Sequence, residues 1–283
     1  MVQRFKRIAY LPWQALCLVL WEMIGGRRIR VAGATIKLKS ATMVPKHRGF
    51  RLPRTIWSEE IVKYSDSVQM RALLKVLCTS DKTMVIVEVG AFDGGYAAIL
   101  ASIMAQHGGR FIAIEPNPDS FALLQKNIAK NHLEHIVSCW NVAIGEKEGN
   151  CSVVGDGSES YAVQRDGPIP NSKAEKDQVP MVTLQSVLTK EGITCVDVLL
   201  VDCEGAELPV LRSFPWEDVS VGRIYCEMHP YAWRQFGYGA WEMKEFLQSH
   251  GLIAVDTYLD PMTEFPTDSY IGPTLLVSCD RKS

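Results

Sequence analysis

Residues 85–96 read Val-Ile-Val-Glu-Val-Gly-Ala-Phe-Asp-Gly-Gly-Tyr, a β-branched run followed by a glycine-rich turn. Val85, Ile86, Val87 and Val89 predict a short strand covered on both faces. Gly90, Gly94 and Gly95 give the turn its backbone freedom, and Tyr96-Ala-Ala-Ile-Leu-Ala-Ser-Ile-Met-Ala predicts a long helix. A second apolar strand, Arg110-Phe-Ile-Ala-Ile, then runs into Glu115. That acid lies about 20 residues past the glycines, the spacing at which a βαβ unit presents a carboxylate to ribose hydroxyls.

Position 92 is Phe, where a dinucleotide fingerprint has the glycine that admits a pyrophosphate. The expected ligand is therefore a nucleoside lacking that group. S-adenosylmethionine fits, with its ribose on Glu115 and its carboxylate against the N–H groups at the helix start near Gly94 and Gly95.

The chain has 283 residues, enough for one large α/β domain with appendages, and its net charge of −2 gives no global field for nucleic acid. Eight cysteines without a C-x-x-C pair read as reduced, buried residues of a cytoplasmic protein, and no zinc site is expected. Residues 8–24 are apolar but interrupted by Pro12, Gln14 and Glu22, and fall short of the ~20 residues that span a bilayer. Flanked by Arg7, Arg27 and Arg28, they read either as a helix docked on the domain or as peripheral membrane contact through 8–28. Arg30 onward alternates like a strand pair, and Asp66 with Gln69 opens a helix through Leu73 and Leu77. Residues 1–80 thus form an N-terminal extension to a domain at 81–283.

Beyond Glu115, Asn117 and Pro118 suit the cap and first position of a helix, and Asn117 is also a ligand candidate. Pro116 is placed to pack on adenine. A third strand is expected from Ile136 to Ile144, with Asn141 at its end as either an adenine reader or a turn residue. Residues 145–180 are too polar for core and predict a mobile hairpin or lid. The second decisive stretch, Val196-Asp-Val-Leu-Leu-Val-Asp-Cys-Glu-Gly-Ala-Glu207, is a strand ending in Asp202, Glu204 and Glu207. Three carboxylates so close repel unless something organises them. Asp202 should face the same cleft as Gly90, since ligands of open α/β sheets bind at the carboxyl ends of strands, whereas Glu207 suits the N-terminus of the next helix. A fifth strand ends in Glu227 and His229 on one side. His229 suits a general base, or else is held structurally by Glu227. Tyr231, Trp233, Phe236, Tyr238 and Trp241 either form a platform for an acceptor or cap the core. The last two strands, at 252–255 and 270–278, are expected to enter antiparallel as a hairpin.

Together, EVGAFDGGY (88–96), EPNPDSFALLQKN (115–127), NVAIG (141–145), VDCEGAE (201–207) and CEMH (226–229) resemble the FkbM family of class I S-adenosylmethionine-dependent methyltransferases. The resemblance implies a Rossmann-like, seven-stranded, mostly parallel sheet with helices on both faces. It also implies O-methylation of a sugar, glycan or polyketide-type acceptor. It places Glu88, Gly90, Asp93 and Gly94 at the methionyl part of the cofactor, Ala91 among the cofactor-binding residues, Glu115 at the ribose, and Asp202 near the reacting centre. Phe92 stands where the family often has Asn. His229 is the first choice of base, Asp202 the second, with Glu227 beside them. Some class I relatives hold a divalent metal at these strand ends, and Asp202 with Glu227 would allow one. The competing classes are a nicotinamide-dependent oxidoreductase and a catalytically silent, membrane-associated binding protein of the same fold.

Overall fold

The computed structural model describes residues 27–31, 34–38, 73, 77, 83–105, 107–154, 161–163, 178–255, 261–262, 264–265 and 271–278. The apolar stretch 8–24 and the start of the helix expected from Asp66 lie outside these residues; Leu73 and Leu77 are helical and buried. Among the described residues, no helix is long and apolar enough to cross a membrane.

β1 (Arg27–Val31) and β2 (Ala34–Leu38) form the expected antiparallel pair, beginning at Arg27 and not at Arg30. The main sheet starts at β3 (Met84–Val89), and α1 (Gly95–Met104) returns the chain to β4 (Gly109–Ile114). α2 (Pro118–Lys130) returns it to β5 (Val137–Trp140). A second sheet follows, built from β6 (Ala143–Ile144), β7 (Gly149–Val154), β8 (Tyr161–Val163) and β9 (Gln178–Val182). The chain then re-enters the main sheet through α3 (Leu184–Glu191), β10 (Cys195–Val201), α4 (Glu207–Arg212) and β11 (Ser220–Met228). After the short α5 (Pro230–Trp233) and α6 (Ala240–Ser249) come β12 (Leu252–Val255) and β13 (Ile271–Ser278).

The main sheet is ordered β12-β13-β11-β10-β3-β4-β5. All neighbours are parallel except the two pairs made by β13, which lies between β11 and β12. The expected terminal hairpin is thus half correct: β12 and β13 pair antiparallel, but β12 runs with the sheet and only β13 runs against it.

Alternation along the strands divides the core in two. On β3, Ile86 faces α1 and α2 together with Phe111 and Ala113 of β4, whereas Val87 and Val89 face α3 and α4 with Ile112 and Ile114. Both faces are covered, so the central strands are mostly apolar, with Glu88 and Asp197 as exceptions on β3 and β10. Each fully buried Ile or Val contributes about 1.5–3 kcal/mol.

The segment 145–180, expected to be too polar for core, carries its own small sheet. Cys151, Val153, Val179 and Met181 are buried and pack against Ala143. Alternation within β7, Asn150-Cys-Ser-Val, hides an apolar face among the polar residues that dominate the composition.

β3 and β10 end level, Val89 opposite Val201, and the N–H of Asp202 donates to the Val89 carbonyl at 2.9 Å. Gly90 then turns at φ +90°, where a Cβ would lie 1.6 Å from the Asp202 carbonyl oxygen. Gly90→Ala is expected to destabilise the fold by more than about 4 kcal/mol in chemical denaturation. A loss below about 1 kcal/mol would mean that the two turns do not need this contact.

Candidate active site

Within the first turn the backbone satisfies itself. Gly90 and Ala91 both donate to the Ile114 carbonyl (2.9 and 3.0 Å), Gly94 to the Ala91 carbonyl (2.8 Å), and Gly95 to Asp93 Oδ1 (3.1 Å). The amides of Gly94 and Gly95, at which the sequence places the cofactor carboxylate, thus have partners within the turn itself. Gly94 is required for a different reason: a Cβ there would come within 2.5 Å of Leu124 Cδ1 on α2. Asn127 is fully buried and donates from Nδ2 to the Asp93 carbonyl at 2.7 Å, tying α2 to the turn. Sequence reasoning missed it, although a polar residue beside Leu124 and Ile128 on an apolar helix face was a usable signal.

Phe92 adopts φ +48°, uncommon for a bulky residue, and its N–H donates to Glu115 Oε2 at 2.8 Å. The N–H of Asn117 donates to Glu115 Oε1 at the same distance. Burial pushes the Glu115 carboxyl up, these two amides pull it back, and it is left at about 7. Each oxygen keeps a lone pair for a ligand hydroxyl. Asn117 Oδ1 accepts from the N–H groups of Asp119 and Ser120, so its side chain caps α2 and is not free for adenine. Asn141 Nδ2 donates to the carbonyls of Glu115 and Pro116 (2.9 and 3.1 Å), fixing the loop that carries the acid.

Across the cleft, Asp202 and Glu227 line the same cavity as Glu88, Gly90, Phe92 and Glu115, a space of about 290 Å³. Glu88 is 5% exposed, and its Oε2 has no hydrogen-bond partner among the described residues. Burial, then Asp202, Asp93 and Glu115, hold its carboxyl well above the usual range. Asp202 is likewise raised, by burial first and then by Glu227, while His229 pulls it down. Its side chain is 50% exposed, so solvent in the cleft damps that shift.

His229 does not sit where a base that touches the acceptor must sit. It is 2% exposed and lies behind Asp202 and Glu204, with Nε2 at 3.8 Å from Asp202 Oδ1 and 3.7 Å from Glu204 Oε2. Its Nδ1 meets Glu207 Oε1 at 2.7 Å, a partner the sequence did not indicate. Burial alone would lower the imidazole pKa, but the hydrogen bond and charge of Glu207, with Glu204 and Asp202, raise it to about 9. Such a value favours the protonated ring near neutrality, and burial keeps it out of the cleft that Asp202 lines. Glu207 does stand at the first position of α4, but it is also fully buried. It receives Gly205 N–H and Trp233 Nε1–H as well as His229. Its side-chain partners His229, Trp233 and Tyr238 lie 22, 26 and 31 residues downstream, so no local pattern announced them. The aromatic run splits: Trp233 and Tyr238 pack around Glu207, whereas Tyr231 and Trp241 are exposed.

Asp202, Glu227 and His229 each bring a polar atom within 4.8 Å of the others. Two carboxylates and an imidazole are donors a divalent cation accepts, and binding one would displace the ring proton.

The profile of the methyltransferase FkbM domain matches residues 88–253, more than half of the chain. The chain belongs to the FkbM methyltransferase family. Its strand order and single reversed strand are those of a class I methyltransferase sheet. No curated protein matches the FkbM chain in sequence. Among solved structures, the methyltransferase FkbM from Methylobacillus flagellatus KT is 12% identical, covering 78% of this chain and 56% of that one at a TM-score of 0.44. The O-methyltransferase TomG from Streptomyces achromogenes, in complex with SAM, is 13% identical, covering 80% and 92% at 0.43. The METTL16 methyltransferase domain is 12% identical, covering 95% and 79% at 0.46.

For this FkbM domain, ligand hydroxyls donating to Glu115 would favour its carboxylate and lower its pKa from about 7. Binding of S-adenosylhomocysteine is therefore expected to release protons near neutrality, and its affinity to fall as the pH drops through that value. Calorimetry in buffers of different ionisation enthalpy reads the release, and Glu115→Ala should weaken binding by about 1.5–3 kcal/mol. A heat independent of buffer, with affinity flat in pH, would remove Glu115 from the ribose.

Proposed function

We propose that the chain is an S-adenosylmethionine-dependent O-methyltransferase that acts on a hydroxyl of a sugar, glycan or polyketide-type acceptor. The observation that carries this reading is Asp202: a half-open carboxylate on the cleft wall, across from the cofactor turn and raised by its surroundings. A base of raised pKa suits removal of a hydroxyl proton. The acceptor oxygen attacks the methyl carbon in line, the C–S bond breaks, and its electrons leave on the sulfur as a neutral thioether. The hydroxyl proton passes to Asp202. Positioning supplies most of the help, since the cofactor carries its own leaving group.

The charge of the cleft favours this cofactor over a nicotinamide one. Glu88, Asp93, Glu115, Asp202, Glu204 and Glu227 line it, and no lysine or arginine does so among the described residues. A sulfonium and an ammonium are attracted by such a wall, whereas a pyrophosphate is repelled. The methionyl ammonium is also the donor that buried Glu88 Oε2 lacks. In the same reading the protein is cytoplasmic, binds no nucleic acid and touches membranes peripherally through residues 8–28.

Asp202→Asn is expected to lower kcat by about 10²- to 10⁴-fold while leaving S-adenosylhomocysteine affinity within about twofold. Turnover of labelled methyl donor on a panel of hydroxylated acceptors measures it, and exhaustive chelation should change nothing. Full activity in the variant would place the base elsewhere, and binding without turnover on a broad panel would favour a silent binding protein. Flotation of the full chain with anionic liposomes, lost when residues 1–28 are deleted, tests the membrane contact separately.

A further inference from the structure

We propose that Phe92 is a cofactor-binding residue whose ring packs against the ribose of the bound nucleoside, and that its left-handed backbone is kept for that contact. This rests on the reading of the cleft as an S-adenosylmethionine site.

The turn that carries Phe92 asks for a different residue. The Gly94 N–H closes it on the Ala91 carbonyl at 2.8 Å, which makes Phe92 the second residue of a four-residue turn. A positive φ at that place belongs to glycine, asparagine and aspartate, which tolerate it at little steric cost. Phe92 holds φ +48° there with a full aromatic side chain. The other non-glycine residues of positive φ among those described are His132 and Glu204, both polar, and Glu204 accepts the Tyr231 hydroxyl at 2.7 Å. A bulky residue stays in this region only where its surroundings require it.

Core packing is not what requires it. Ala91 before it and Tyr96 after it pack in the cluster under α1 and α2, whereas Phe92 joins none of the hydrophobic clusters among the described residues. Phe92 is nevertheless only partly exposed, and it lines the cleft beside Asp93, Tyr96 and Glu115. A large apolar side chain outside the core and on a cleft wall has a ligand as its packing partner. The backbone shows which part of the ligand it meets. Phe92 N–H donates to Glu115 Oε2 at 2.8 Å, which seats the residue against the carboxylate that takes the ribose hydroxyls. With those hydroxyls on Glu115, the C–H face of the sugar turns to the ring. The ring also keeps water from the hydroxyl–carboxylate hydrogen bonds, which are stronger in dry surroundings. It stands where a dinucleotide fold brings a pyrophosphate against bare backbone, so it selects a nucleoside without one.

The test sets variants of the full chain beside the unaltered protein, in calorimetry with S-adenosylhomocysteine and in thermal unfolding without ligand. Phe92→Gly and Phe92→Asn keep the N–H that Glu115 accepts and suit the left-handed turn, but they remove the ring. Both should unfold no more than about 2 °C below the unaltered chain, or above it, because strain is relieved and no core contact is lost. Both should bind S-adenosylhomocysteine about tenfold more weakly. Phe92→Tyr, which keeps the ring, should restore affinity to within about twofold of the unaltered chain. 5′-Methylthioadenosine, which has the same ribose without the amino-acid part, should lose affinity by the same factor. In a Glu115→Ala background the loss should shrink to about threefold or less, since the hydrogen bonds that the ring shields are gone. Ringless variants that bind both ligands as the unaltered chain does overturn the proposal and leave the cofactor site standing. Unfolding at a distinctly lower temperature makes Phe92 a packing residue and overturns it too, and a loss seen only with S-adenosylhomocysteine removes the ring from the ribose. If the unaltered chain binds neither ligand, the methyltransferase reading falls and takes the proposal with it.

Discussion

The contact between the Gly90 turn and the Asp202 backbone sets the geometry of everything above the sheet. Two parallel neighbours, β3 and β10, stop at the same level, and a hydrogen bond from Asp202 to Val89 holds their ends together. Only a residue without Cβ fits at Gly90 against the Asp202 carbonyl. Because those backbones touch, the cofactor turn and the acid end of β10 share one small cleft. Their side chains reach across it without any intervening layer.

That closeness concentrates negative charge. Carboxylates on adjacent strand ends would repel one another in an empty apolar cleft, and burial makes each more costly as an anion. The fold answers differently at each place. Glu115 is held by two backbone amides, Glu207 by a histidine and an indole, and Glu88 has one oxygen with no hydrogen-bond partner among the described residues. Glu204 adopts φ +49° and Gly205 φ +109°, so the turn after β10 spends two left-handed residues in bringing Asp202 and Glu207 to opposite sides of one imidazole.

Much of this was legible in the sequence. The valine run, the glycines and the acid after the next strand lie close together in the chain, and their register is a local property. The cap at Asn117 and the strand ending at Asp202 were likewise readable from neighbours. The remainder depends on contacts distant along the chain. Glu207 resembles any first-turn acid until His229 and Trp233 arrive beside it, and His229 resembles a solvent-facing base until its burial is known. The small sheet between β5 and α3 escaped because composition averages over alternation: one face of β7 is polar, and the other is not.

The place of β13 bears on how the molecule is made. The last described strand is an interior strand of the sheet, and β12 pairs with no other described strand. On a ribosome, β3, β4, β5, β10 and β11 can assemble as each emerges. β12 must wait, and the edge of β11 stays open, until residues 271–278 have left the exit tunnel. During that interval the nascent chain displays an unpaired strand edge, a target for chaperones and a hazard for aggregation.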